Sequence, residues 1–298
     1  MTRHFLEVDD LDAAELALVL DLADRPAPDP VLTGRGMAMI FEKPSNRTRN
    51  STEMAVVQLG GHPVYLQEHE VGMDTRETVE DVARTLAGYH AVIGARVNRH
   101  LTVERLAAAS SVPVVNLLSD EAHPCQALAD LLTIRSRFGG LAGRTVAYVG
   151  DANNVFRSLA IGCALAGAAV RVASPPGHAP DDADADRVRS RGGDLTVTSR
   201  PEEAVEGADV VYTDVWTSMG QEAEAEARRR TFEGFTVDAT LMGRASADAV
   251  FLHCLPAHRG EEVAGGVLES PASLVWEQAA NRMHAMRGIL LFLLGVGR

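Results

Sequence analysis

Residues 37–66 read MAMIFEKPSNRTRNSTEMAVVQLGGHPVYL. Met37 to Glu42 is apolar until its last residue and reads as a strand. Thr48 to Leu59 reads as a helix closed by Gly60-Gly61, and His62 to Leu66 is a second strand. Two strands joined through a helix pair in parallel, whereas a hairpin needs only a tight turn. The same alternation continues outward. A helix at Glu77–Ala87 leads to a strand at 91–95, and a helix at Leu101–Ala109 leads to a strand at 112–118. A helix over Pro124–Phe138 then ends the set.

The stretch Gly139-Gly-Leu-Ala-Gly143 reads as a boundary, after which the alternation restarts. Strands fall at 144–150, 169–173, 195–198, 209–213 and 249–253, with a helix at Val155–Leu165 and a long final helix from Ser273 to Leu294. The expectation is an α/β chain of two doubly wound domains, each a parallel sheet flanked by helices. The acidic run Asp181 to Asp186 suits a helix start, where carboxylates meet the positive end of the dipole.

The chain has 298 residues, with 28 Lys+Arg against 41 Asp+Glu, a formal net charge of −13. That balance argues against non-specific binding to nucleic acid or to anionic membranes. It leaves room for a small anion gripped by a few arginines. Three cysteines, Cys125, Cys163 and Cys254, are too few for a disulfide framework and fit a reducing compartment. The opening MTRHFLEVDD has no apolar signal core, and the longest strongly apolar run is Ile289 to Leu294. The expected location is cytoplasmic.

Ligands of open α/β sheets bind beyond the carboxyl ends of the strands. The segments there are polar. Glu42-Lys-Pro-Ser-Asn-Arg-Thr-Arg49 places Ser45 as an N-cap with free N–H groups behind it and Arg47 and Arg49 beside it. This is either a phosphate site or an ordinary capped helix. Arg96 ends a strand, as a surface side chain or a second clamp. His123-Pro-Cys-Gln126 opens a helix, with Pro124 suited to the first turn. Val149-Gly-Asp-Ala-Asn-Asn154 lacks the second and third glycines of a dinucleotide fingerprint, which disfavours a nicotinamide-dependent oxidoreductase. Its amides suit a polar ligand. Asp214-Val-Trp-Thr-Ser-Met-Gly220 offers a carboxylate and a hydroxyl, for a substrate amine or as local turn caps. In His253-Cys-Leu-Pro-Ala-His258, Cys254 is a nucleophile or a structural thiol. A zinc site of His253, Cys254 and His258 lacks a fourth ligand. Arg282 and His284 lie in the final helix, on a solvated face or at a site.

In order and spacing these segments resemble the aspartate/ornithine carbamoyltransferase family over essentially the whole chain. Ser45-Asn-Arg-Thr-Arg49 is similar to its Ser-Thr-Arg-Thr-Arg loop and His123-Pro-Cys-Gln126 to its His-Pro-x-Gln motif. Asp214 to Gly220 resembles the Asp-x-x-x-Ser-Met-Gly loop of the ornithine branch, and His253-Cys-Leu-Pro256 its His-Cys-Leu-Pro motif.

The resemblance implies a carbamoyl-phosphate-binding domain at 1–135 and an ornithine-binding domain at 136–298. The final helix, about 273–298, returns to the first. It implies carbamoyl transfer to the side-chain amine of L-ornithine, giving citrulline and phosphate in arginine metabolism, without metal or organic cofactor. Ser45, Asn46, Arg47 and Thr48 would hold the phosphate, and Arg96 would bridge phosphate and carbamoyl oxygen. His123 and Thr48 would polarise that oxygen. Gln126, the carbonyl of Leu255 and Arg282 would meet the carbamoyl NH₂, and Cys254 would also belong to the carbamoyl-phosphate set. Asn154, Asp214, Ser218 and Met219 would bind ornithine, and Asp214 with Cys254 would position its amine. A homotrimer or trimer-based assembly is also implied, with a neighbour's loop completing each phosphate pocket.

Three departures stand out. Glu70-Val-Gly72 takes the place of a usual Gln-Leu-Gly, and an acid there would repel phosphate unless Arg76 or Gln67 takes over or Glu70 points away. Asn46 replaces a Thr. Arg157 stands where a smaller residue or His is usual, as a contact to the substrate carboxylate or facing solvent. Two alternatives remain open: transfer to another amine such as putrescine or acetylornithine, and a non-catalytic ligand sensor on the same fold.

Overall fold

The computed structural model describes residues 2–26, 28–218, 220 and 222–297. The chain divides into two compact units, Met1–Leu132 with Ala280–Arg298, and Thr133–Ala279. Among the described residues no helix is long and apolar enough to cross a membrane.

The first unit opens with α1 (Ala13–Ala23), capped by Asp12 and Glu15 in a reciprocal capping box. Then follow β1 (Gly36–Phe41), α2 (Asn46–Gln58), β2 (His62–Gln67), the short α3 (Glu68–Val71) and α4 (Val79–Tyr89). The strand β3 (Val92–Arg96), α5 (His100–Ala109), β4 (Val114–Leu118) and α6 (Pro124–Phe138) complete the series. All pairings are parallel and the strand order is β2-β1-β3-β4. The middle strands are buried along their length, as a sheet covered on both faces requires. One face packs Ile40, Ile93 and Val114 against Val79, Val82, Val103 and Leu106 of α4 and α5.

The second unit runs β5 (Thr145–Val149), α7 (Asn154–Leu165), β6 (Ala169–Ala173), α8 (Asp182–Ser190) and β7 (Leu195–Thr198). It continues through α9 (Pro201–Val205), β8 (Val210–Thr213), α10 (Ala225–Thr231), α11 (Ala239–Met242), β9 (Val250–His253) and α12 (Gly265–Leu268). Its parallel sheet has the order β7-β6-β5-β8-β9. Phe232, Phe235, Phe251 and Trp216 fill one side of that sheet. The acidic run does start a helix: Asp181 caps α8 through the Asp184 N–H at 2.8 Å.

The last helix, α13 (Val275–Leu293), belongs to the first unit from Ala280 onward. There Gly288 lets it lie against the Val19 carbonyl of α1. The buried Arg287 donates to Ala23 O and Arg25 O, both at 2.8 Å, and to Gln58 Oε1 at 3.0 Å.

Each strand order contains one reversal. In the first sheet the chain leaves β1 on one side for β2 and returns on the other as β3. In the second, β5 and β8 stand in the same relation. Such a switch point opens a crevice above the carboxyl ends of the two strands. The loops that meet there carry Ser45 to Thr48 with Arg96, and Asp151 to Asn154 with Asp214.

Candidate active site

In the first unit, β1 and β3 run in register with Phe41 beside Arg96, and Glu42 N–H donates to Arg96 O at 2.9 Å. This fixes Arg96, itself buried, at the sheet edge where α2 begins. Ser45 is the N-cap of α2 and its hydroxyl accepts from Thr48 N–H at 3.2 Å. Asn46 and Arg47 occupy the first helical turn, whose N–H groups have no partner within the helix. Arg49 is turned to other work. It pairs with Glu53 at 2.8 Å and covers the Tyr65 ring at 3.8 Å.

Arg282 of α13 joins three of the predicted residues. Its Nη2 donates to Thr48 Oγ1 at 3.3 Å and its Nη1 donates to Gln126 Oε1. The same Nη1 lies 3.5 Å from His123 Nε2. Thr48, Arg96, His123, Gln126 and Arg282 are all buried. Burial, and then the charges of Arg282, Arg96 and Arg47, hold the His123 imidazole well below the ordinary histidine range. It is therefore neutral at pH 7, inside a cluster of fixed positive charge. Cys125, between His123 and Gln126, takes no part. Its thiol donates to Asn116 O at 3.3 Å, and burial pushes it up to about 12.

In the second unit the centre is Asp214, after β8. Its Oδ1 accepts from Cys254 Sγ at 3.0 Å and from Val215 N–H at 2.8 Å, and its Oδ2 accepts from Asn153 Nδ2 at 2.8 Å. Asp214 and Cys254 thus meet. The amide on Asp214 belongs to Asn153, the N-cap of α7, whose Oδ1 takes the N–H groups of Val155 and Phe156. Asn154 is the first residue of that helix, half-buried like Ser218. Met219 lies outside the described residues.

Sequence reasoning missed what anchors these loops. Arg228 of α10 is buried, pairs with Asp151 and donates to the Trp216 carbonyl, tying the β5 loop to the β8 loop. His253 is wholly buried: its Nδ1 accepts from Leu255 N–H at 2.8 Å and its Nε2 lies 3.2 Å from Glu262 Oε1. The Leu255 contact makes Nδ1 the acceptor and so puts the proton on Nε2. Both ring nitrogens are thereby engaged within the protein. Leu255 itself has φ +60°, in the left-handed region.

Two of the departures have local partners. The Glu70 carboxylate accepts from Gln67 N–H at 2.7 Å in a capping box of α3, so it is a local cap. Arg76 Nη1 donates to Glu70 O at 3.1 Å, and Arg76 and Gln67 both line a cavity of about 440 Å³ with Phe41, Glu42 and Tyr65. Arg157 is engaged within the protein: its Nε pairs with Asp184 at 2.7 Å.

What these groups offer a ligand is fixed charge and oriented dipoles. That equipment suits an enzyme moving a group directly from a small anionic donor to an amine. Comparison with known proteins makes the class specific. The family model described as "Aspartate/ornithine carbamoyltransferase, carbamoyl-P binding domain" matches residues 3–136, and that of the "Asp/Orn binding domain" matches 142–293. The chain is 52% identical over 303 residues to the ornithine carbamoyltransferase of Acidothermus cellulolyticus, covering 99% of this chain and 97% of that one. It is similar to the crystal structure of the Thermus thermophilus ornithine carbamoyltransferase, with TM-score 0.91, 47% identity and 99% of both chains covered. The Pyrococcus furiosus ornithine carbamoyltransferase structure gives TM-score 0.94 at 46% identity, covering 99% of this chain and 97% of that one. The chain belongs to the aspartate/ornithine carbamoyltransferase family.

Proposed function

We propose that this chain transfers the carbamoyl group of carbamoyl phosphate to the side-chain amine of L-ornithine, giving L-citrulline and phosphate. The observation that carries the reading is Arg282 drawing Thr48, His123 and Gln126 into one buried cationic cluster beside Arg47 and Arg96. A dianionic phosphate offsets the cost of burying those charges, and the α2 N-terminus supplies further donors.

In this reading Ser45, Asn46, Arg47 and Thr48 hold the phosphate, and Arg96 spans phosphate and carbamoyl oxygen. Thr48 and the neutral His123 donate to the oxygen as negative charge grows on it in a tetrahedral intermediate. Gln126, Arg282 and the Leu255 carbonyl orient the carbamoyl end. Asn154, Asp214, Ser218 and Met219 hold ornithine, with Asp214 and Cys254 at its side-chain amine. That amine arrives protonated, since its ordinary pKa is near that of lysine, about 10.4. It must lose a proton before it attacks the carbonyl carbon and phosphate leaves. The Asp214-Val-Trp-Thr-Ser-Met-Gly220 segment and the names of the relatives near 50% identity support ornithine as acceptor.

A cytoplasmic setting and a trimer-based assembly belong to the same proposal. That Cys125, Cys163 and Cys254 form no disulfide supports the first. Met54 and Val57, exposed apolar residues of α2, support the second.

Ornithine, putrescine, lysine, acetylornithine and aspartate, compared as acceptors at fixed carbamoyl phosphate, test the reading. A kcat/KM highest for ornithine is expected. A preference for another amine would move the acceptor, and ligand binding without turnover would favour the sensor.

A further inference from the structure

Gln126 is not oriented by Arg282 alone. One turn along α6 lies Asp130, fully buried, and Gln126 Nε2 donates to Asp130 Oδ1 at 2.7 Å. The i, i+4 spacing puts the two side chains on one helix face. On its other side the Gln126 amide receives Arg282 Nη1. A carboxylate can only accept and a guanidinium can only donate. The amide therefore has one orientation: NH₂ toward Asp130, oxygen toward Arg282. The flipped amide would set N–H against N–H on one side and oxygen against oxygen on the other, in a site shielded from water where unmatched groups are expensive.

We propose that Asp130 acts through Gln126 as a positioning residue that makes this site selective for a donor bearing an NH₂ group over acyl phosphates without one. The inference rests on the carbamoyl-transfer reading above. Arg282 uses one lone pair of Gln126 Oε1, and an amide oxygen has two. Arg282 itself donates to Thr48 and lies 3.5 Å from His123, and it leaves the second lone pair to another donor. A carbamoyl NH₂ can donate to it, and the methyl group of acetyl phosphate cannot. Without Asp130 only the Arg282 contact would hold the amide, and whenever it turned it would present NH₂ there, repelling the carbamoyl NH₂ and weakening the distinction. Asp130 removes that freedom without touching the ligand.

The test compares the unsubstituted protein with Asp130→Asn, which keeps size while allowing its own amide to donate or accept. Three constants are measured: KM for carbamoyl phosphate, and the inhibition constants of acetyl phosphate and inorganic phosphate. The expected result is a rise in KM of about tenfold, the worth of one well-formed hydrogen bond, while both inhibition constants stay within about twofold. A merely structural role would weaken all three together, and an unchanged ratio of carbamoyl phosphate to acetyl phosphate would overturn the proposal. Should Asp130→Asn fail to fold, Gln126→Met removes the selected oxygen and leaves Asp130 in place. It must lose the same preference, and retention of that preference would equally overturn the inference. No turnover of carbamoyl phosphate by the unsubstituted protein, despite binding of phosphate, would reject the carbamoyl-transfer reading itself.

Discussion

Arg282 donates to the hydroxyl of Thr48 at 3.3 Å although 234 residues separate them. The contact joins the last helix to the first turn of α2, the turn proposed to hold phosphate. It brings Arg282 to the proposed anion site, although in sequence it looks like one polar residue of an amphipathic helix. Replacing it by Met keeps much of the stem and removes all the donors. The expected loss in kcat/KM for carbamoyl phosphate is about 10²–10³, as for a single donor of an oxyanion hole. Steady-state kinetics at saturating ornithine measures it, and an unchanged value would remove Arg282 from the site.

His123 makes stability depend on pH in a definite direction. Its native pKa lies well below the ordinary value because of burial and the neighbouring arginines. Between that depressed value and about 6.5 the unfolded chain binds a proton that the native state does not. Unfolding free energy therefore falls as pH drops below about 6.5, by up to about 1.4 kcal/mol per pH unit from this one group, and is unaffected above it. Urea unfolding of the protein and of His123→Asn isolates the effect, since the other histidines cancel in the difference. The difference should be flat above pH 7 and turn against the histidine protein at lower pH. A difference constant from pH 8 to pH 5 would contradict the account.

In the proposed reading Cys254 acts chiefly on the acceptor. Its thiol lies 3.0 Å from Asp214 Oδ1, in the second unit. Cys254→Ala should lower kcat/KM for ornithine by about tenfold or more, the scale of a hydrogen bond to a charged group, with KM for carbamoyl phosphate moving by less than about twofold. Equal losses with both substrates would count against the assignment.

Gly288 sets two rules against each other. Helix propensity makes Gly→Ala favourable by about 1 kcal/mol in a helix interior. Here a methyl group would run into the Val19 carbonyl and lie 3.0 Å from Ala23 Cβ. Overpacking of that kind costs about 1–3 kcal/mol, and a backbone carbonyl cannot swing aside as a side-chain end can. Gly288→Ala should therefore be less stable on balance, with a lower urea midpoint. A higher midpoint would show that α13 can draw away from α1 without cost.

Much of this architecture is legible locally. The strands from β1 to β9 and the helices α2, α6, α7 and α13 follow from runs of apolar residues between breakers. The loops after β1, β4, β8 and β9 announce themselves as polar segments in an apolar context. Some features had a signal that went unread. Asp12-x-x-Glu15 marks the start of α1, Gln67-x-x-Glu70 makes Glu70 a cap, and the i, i+4 spacing of Gln126 and Asp130 pairs them on one face. Asn153 and Asn154 could not be ranked from sequence, because which of them caps α7 decides which reaches Asp214. Others left no local trace. The strand orders, the union of Glu262 with His253, and Arg228 bridging Asp151 and Trp216 all come from tertiary packing, which brings together residues that no short-range pattern relates.

The most direct measurement is stoichiometric. Purified protein is given carbamoyl phosphate with and without L-ornithine, and citrulline and phosphate are counted together. Direct transfer predicts phosphate release that depends on ornithine and equals citrulline one for one. Phosphate released without citrulline, or no turnover in the presence of both substrates, would contradict it.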